Sequence, residues 1–210
     1  MLSTLSIEEY DVILDALDNE DTNKILKYFY KYELEPHSEL IDAPRYGNND
    51  IEVNTYLDYI LSYNLTNIID VFIDELNLEI TDDIIVRTLE LENLDTYNYL
   101  CGLGYTPQEK ALKYAVKISN SSIIYRILEE EIELIEYLDN DDIENLYDTI
   151  EDINEETVET VRVLLKYDIN INLFMDMLLS LKENMNDYEY GNKDIVIEII
   201  DLIESYGLIR

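Results

Sequence analysis

The chain has no tryptophan, one cysteine, one histidine, five glycines and three prolines in 210 residues. A single cysteine, Cys101, excludes an intrachain disulfide and fits a reducing compartment. One Cys and one His exclude an ordinary structural zinc site, which takes four such ligands. A histidine-based catalytic set would need His37, but this residue follows Pro36 and lies between Glu35 and Glu39 with no nucleophile signal nearby, so it reads as a solvated loop residue. Scarce glycine and proline argue against turn-rich sandwiches and barrels, which leaves helices. Positive charge is also scarce. Lys and Arg total 14 against 48 Asp and Glu, a formal net charge of −34 spread along the whole chain. Such a surface repels phosphate backbones and anionic membranes, and attracts basic proteins and cations. Long apolar runs are missing too. Ile195 to Ile200 is interrupted by Glu198, far short of the roughly 20 apolar residues that span a bilayer. Met1 to Tyr10 has no basic stretch followed by an apolar run, so no secretory signal is expected. The chain is expected to be soluble and intracellular, neither secreted nor transmembrane.

What is present is a repeat. Hydrophobic residues make up 47%, too many for a disordered acidic tail. A pattern of two mostly apolar residues, a polar one, then two or three more apolar ones recurs six times. It runs Ile25 to Tyr30, Ile68 to Ile73, Thr96 to Cys101, Ile123 to Leu128, Thr160 to Leu165 and Ile199 to Glu204. Most copies place apolar groups at i, i+1 and i+4, one stripe on a helix. A second apolar pattern precedes each copy. In the first unit it is Ile7, Tyr10, Ile13, Leu14 and Leu17; in the second, Tyr56, Leu57, Ile60 and Leu61; in the third, Ile84, Ile85 and Leu89. The fourth has Leu112, Ala115, Val116 and Ile118; the fifth Ile143, Leu146, Tyr147 and Ile150; the sixth Phe174, Met177, Leu178 and Leu181.

Start signals agree. Ser6 and Glu9 have capping-box spacing, Thr106-Pro107 places proline at a helix start, and Thr66, Thr81 and Asn154 are further caps. Pro36 to Asp50 and Met185 to Asn192 read as loops. The expectation is an all-α solenoid of about six antiparallel helix pairs with few or no β-hairpins. It forms a single domain over 1–210, with units near 5–36, 50–80, 81–105, 106–135, 140–171 and 172–210. The alternative is an irregular helical bundle whose helices merely have similar lengths.

Thr106-Pro107, Ala111-Leu112-Lys113-Tyr114-Ala115 and Ile123 to Glu129 together resemble an ankyrin repeat, in particular the divergent ankyrin-like proteins of large DNA viruses. Val161 to Asn172 is similar to the second helix and exit of such a repeat, as is Ile199 to Leu208. The chain departs from the family pattern in places. Glu33, Leu76, Glu131 and Asp168 replace the exit glycine, which only Gly104 and Gly207 keep, and Gln108 and Glu109 stand where Leu and His would be. The resemblance implies protein–protein binding with no catalytic residues, and the host cytoplasm as location if the chain is viral.

No catalytic, cofactor or metal site is expected. Cys101, between Leu100 and Leu103, reads as a small core residue without the basic neighbours of a reactive thiolate. Gly102 and Gly104 form only a G-x-G and read as a helix end. Asp187, Glu189 and Glu198 fall at positions 1, 3 and 12 of a calcium-loop pattern, but Gly191 and Ile195 fall where the pattern fails. Asp139 to Asp142 reads as a cap and turn. The nineteen tyrosines stand out. Tyr28, Tyr30 and Tyr32 cannot all face one core, and Tyr56, Tyr59 and Tyr63 follow helical spacing, as Tyr97 and Tyr99 do less cleanly. They are either interface residues or ordinary packing in an Ile-, Asn- and Tyr-rich composition. The expected function is non-catalytic binding of another protein, through residues the sequence does not single out. The alternative is an acidic mimic of nucleic acid that occupies a basic DNA-binding protein or histone.

Overall fold

The structure is a computed structural model that describes residues 5–40, 45–46, 51–139, 142, 154–167, 175–176, 178–180 and 193–206. It is mostly helical. The chain divides into two compact units, Met1–Tyr105 and Thr106–Arg210, and the division falls between the third and fourth expected repeats.

The first unit contains α1 (Ile7–Asp18), α2 (Thr22–Tyr32), α3 (Tyr56–Ser62), α4 (Thr66–Leu76), α5 (Asp82–Glu90) and α6 (Leu94–Gly102). Between α2 and α3 the expected loop carries a short antiparallel pair, β1 (Arg45–Tyr46) and β2 (Ile51–Glu52). α1 packs on α2, α3 on α4 and α5 on α6, while α2 also meets α4 and α3 meets α5. The second unit contains α7 (Glu109–Lys117), α8 (Ser121–Glu130), a 3-10 segment (Ile132–Tyr137), α9 (Glu155–Lys166) and α10 (Lys193–Ser205). Here α7 packs on α8, α8 on α9 and α9 on α10.

Four helix-to-helix connections share one turn. Glu20, Asn64, Glu92 and Ser119 each take a left-handed backbone, with φ of 50°, 52°, 55° and 52°. The following residue donates its N–H five residues back: Asp21 to Ala16, Leu65 to Ile60, Asn93 to Thr88 and Asn120 to Ala115, at 2.8–3.0 Å. This bond satisfies a carbonyl that the helix end would leave orphaned. In three of the four turns the donating residue also caps the next helix. Asp21, Asn93 and Asn120 accept from the backbone N–H of Lys24, Thr96 and Ile123 at 3.1 Å. One tripeptide therefore ends one helix and starts another. These caps differ from the expected ones: Leu65 stands at the cap of α4, with Thr66 already helical, and Thr81 caps α5 without a side-chain bond. Ser6 with Glu9 and Asn154 with Thr157 form complete capping boxes. Pro107 is buried two residues before α7, which starts at Glu109 after the extended Gln108.

The recurring stripe is the core. The trios Ile68, Ile69 and Phe72; Thr96, Tyr97 and Leu100; Ile123, Ile124 and Ile127; Val161, Leu164 and Thr160; and Ile199, Ile200 and Ile203 are all buried. Each fully buried aliphatic side chain contributes about 1.5–3 kcal/mol. Phe29 joins neighbouring pairs, with its ring centroid 5.2 Å from Tyr56 and 5.1 Å from Phe72. Ile7 departs from expectation. It lies in the first turn of α1 and is exposed, so the stripe of α1 begins at Tyr10. Ile118 belongs to a turn and is also exposed.

Two stripes open on threonine where the others open on isoleucine, and the structure supplies the reason. The Thr160 hydroxyl donates to the Ser119 carbonyl at 2.8 Å, and the Thr96 hydroxyl lies 2.9 Å from the Leu61 carbonyl and 3.1 Å from Asn64 Oδ1. Each reaches back to the turn of the preceding helix pair, where a methyl group would leave a buried carbonyl one bond poorer.

The ends of the second helices vary. Glu33, Asn77 and Gly104 are left-handed, so the residue doing this work after α4 is Asn77, one past Leu76. Glu131 is not left-handed, with φ of −137°, and the chain continues from it into the 3-10 segment. Asp168 and Gly207 lie outside the described residues, as do most of the first-helix residues expected in the fifth and sixth units, apart from the buried Leu178.

Arg87 on α5 locks the inserted strand pair to the helices. Its guanidinium meets Asp58 Oδ1 at 2.7 Å and Glu90 Oε2 at 2.9 Å, and donates to the Glu52 carbonyl at 2.6 Å. Asp58 is nearly buried and also accepts from the N–H of Asn54 and Thr55. Arg87→Ala is expected to cost roughly 2–3 kcal/mol of unfolding free energy, because it leaves a buried carboxylate without its cation. Urea unfolding measures this, and an unchanged midpoint would remove Arg87 from its role as a clamp.

Candidate functional site

Few of the sequence candidates gather in one place. His37 is exposed in the loop after α2, where it helps line a cavity of about 430 Å³ with Glu35, Asn77 and Glu79. Cys101 lies on α6 and is half-buried rather than a core residue, because its helix turns that position toward the edge of the core. Gly102 ends α6, and Gly104 takes the left-handed position of a helix terminus, with φ of 95°. Asp139 and Asp142 exchange backbone-to-carboxylate bonds of 3.0 and 3.1 Å, the reciprocal pattern of a cap. Of the calcium-loop residues, Asp187, Glu189 and Gly191 lie outside the described residues. Among the described residues, no group of three or more His, Cys, Asp or Glu is placed to hold a metal ion, and no helix is long and apolar enough to cross a membrane.

The tyrosines divide by role. Tyr56 and Tyr97 are core residues. The Tyr56 hydroxyl finds no hydrogen-bond partner among the described residues, and burial pushes its pKa up. A second group spans neighbouring helix pairs. Tyr59 donates to Asp18 Oδ1 and Tyr99 to Asp70 Oδ1, each at 2.5 Å, and Tyr30 donates to the Glu75 carbonyl at 3.2 Å. A third group binds lysines. Lys31 Nζ lies 4.5 Å from the Tyr32 ring centre, and Lys166 Nζ lies 4.3 Å from that of Tyr125. Tyr32 and Lys31 also both reach the Glu9 carboxylate.

A cleft lies between the α3–α4 and α5–α6 turns, with a volume of about 460 Å³. Tyr63 and Leu94 line it and are 47% and 45% exposed. Tyr63 is held from beneath. Its ring is 4.7 Å from that of Tyr59, whose hydroxyl is anchored on Asp18. The floor is held as well, since Asn93 Nδ2 donates to the carbonyls of Leu61 and Ser62 at 2.8 and 2.9 Å. The exposed residues Glu92 and Asp95 also line the cleft, and among the described residues no lysine or arginine does. The arrangement offers a rigid aromatic wall, an aliphatic wall and negative charge. Helical spacing identifies Tyr63, but Leu94 and the turn residues carried no periodic signal. The tripeptide around each left-handed residue was the sign that could have found them.

The bonds from tyrosine to carboxylate have a consequence at high pH. Burial first, and then the bond to Asp70, push the Tyr99 pKa from 10.0 up to about 12. A group whose folded pKa is raised contributes stability that is complete below its unfolded pKa and is lost as the pH rises through the folded value. The stability difference between wild type and Tyr99→Phe is therefore expected to be constant below pH 10 and to shrink between pH 10.0 and about 12. Urea unfolding at stepped pH values measures it, and a difference that is flat through pH 12 refutes the assignment.

No protein-family model, curated protein or solved structure matches this chain.

Proposed function

We propose that the chain is a non-catalytic protein-binding module, a helical-repeat solenoid of divergent ankyrin-like type that docks another protein through its helix-to-helix turns. The observation that carries the reading is the repeated turn at Glu20, Asn64, Glu92 and Ser119, which presents apolar side chains to solvent at Tyr63, Leu94 and Ile118. An exposed tyrosine or leucine on a turn fixed by backbone hydrogen bonds loses little entropy when a partner covers it. Two further features support a solenoid. Second helices meet in chain order, α2 with α4, α8 with α9 and α9 with α10. Thr96 and Thr160 each bond to the turn of the preceding pair. Units tied only to their neighbours are how repeat proteins build extended binding surfaces.

The test is site-specific photo-crosslinking in cells that naturally express the chain, with a benzophenone side chain in place of Tyr63, Leu94 or Ile118. The expected result is one discrete protein adduct from at least one of these positions. Its yield should fall by about tenfold or more when a neighbouring exposed residue is changed, as for Leu94→Ala with the probe at position 63. No adduct from any of the three, or adducts indifferent to such changes, would refute the reading.

A further inference from the structure

Resting on that reading, we propose that the cleft between the α3–α4 and α5–α6 turns takes a lysine or arginine side chain from a basic, partly apolar segment of the partner protein. Charge complementarity sets the sign of the occupant. Glu92 and Asp95 line the cleft, no lysine or arginine lines it among the described residues, and the chain carries −34 overall. An anionic or phosphate-bearing ligand would be repelled. The walls set its shape. A bare metal ion or small amine would leave the Tyr63 ring and Leu94 uncovered. A lysine or arginine lays its aliphatic stem on apolar surface and keeps its charged head among carboxylates.

The chain already uses this chemistry on itself. Lys31 sits over Tyr32 at 4.5 Å while bonding Glu9 at 3.0 Å, so a tyrosine face and a carboxylate together hold one ammonium group. Tyr63 beside Glu92 and Asp95 offers the same pair of groups to an incoming cation. The cleft is also pre-organised. Tyr59 supports the Tyr63 ring, and Asn93 is fixed by two carbonyls, so little order remains to be imposed on binding. A volume of about 460 Å³ suits one long side chain and its neighbour, not a whole folded surface.

The experiment titrates the full isotope-labelled chain with a short capped peptide in which lysine and arginine alternate with leucine, at about 0.15 M ionic strength, and follows backbone amide shifts. Two reference peptides carry glutamine for every basic residue or glycine for every leucine. Saturable shifts centred on residues 62–65 and 92–95 are expected, at least about tenfold weaker with either reference peptide. Glu92→Gln with Asp95→Asn, and separately Tyr63→Ala, should each weaken binding about tenfold. Glu8→Gln with Asp11→Asn removes the same charge from exposed positions on α1 and should leave binding within about twofold. Both pairs change solvent-facing side chains, and an unchanged circular dichroism spectrum confirms folding. Equal weakening by the two charge pairs would reduce the effect to general attraction and overturn the proposal. So would saturable shifts centred elsewhere, or no shift at millimolar peptide. Shifts elsewhere would still leave the protein-binding reading standing, and that reading fails separately if the crosslinking yields no adduct.

Discussion

Everything in the first unit depends on how a short helix is allowed to end. A helix of 7–12 residues leaves as many open carbonyls at its end as a long one, so its termini weigh heavily. Here the chain closes that gap with its own backbone. A left-handed residue turns the next N–H back onto a carbonyl five positions earlier, and at two of the three turns an Asp or Asn at that next position caps the following helix. Glutamate and serine accept a conformation that glycine would adopt freely, at about 1–2 kcal/mol each. They hold it because the bonds on both sides over-determine the turn.

The acid excess takes on a structural meaning once the contacts are known. With 48 acids and 14 basic residues, most carboxylates cannot find a cation. Several find a hydroxyl or an N–H instead. Asp18 and Asp70 accept from tyrosines, and Glu156 accepts from both the N–H and the hydroxyl of Ser121 at 2.9 and 2.6 Å. A hydrogen bond to a charged acceptor is roughly twice as strong as a neutral one, and it needs no lysine. Part of the tyrosine content is thus employed in joining one helix pair to the next. The two readings of the tyrosines divide by position: Tyr59, Tyr99 and Tyr30 bond across helix pairs, while Tyr63 presents area to solvent.

The candidate cleft follows from the same device. Two consecutive turns of the same geometry leave a space between them, and whatever occupies the positions flanking the left-handed residue becomes its wall. Tyr63 precedes Asn64, and Leu94 follows Glu92 by two. The backbone of these turns is fixed by helix termination, while the side chains they carry differ from one turn to the next.

The amino-acid order by itself determined the helical class, the positions of the second helices and the stripes they bury. An i, i+1, i+4 pattern has one low-energy solution in water, and Ile68, Ile69 and Phe72 adopt it as Ile199, Ile200 and Ile203 do. It also determined the capping boxes at Ser6 and Asn154, since these are local bonds between residues three apart. Only the tertiary structure decided the rest. Thr96 and Thr160 look like weak copies of isoleucine until the carbonyl each one serves is brought to it from 35 and 41 residues away. Glu92 and Asp95 are two acids among 48 until the turn beside them carries Tyr63 to the same cleft. Spacing along the chain encodes which face a residue shares, but not which distant residue will face it.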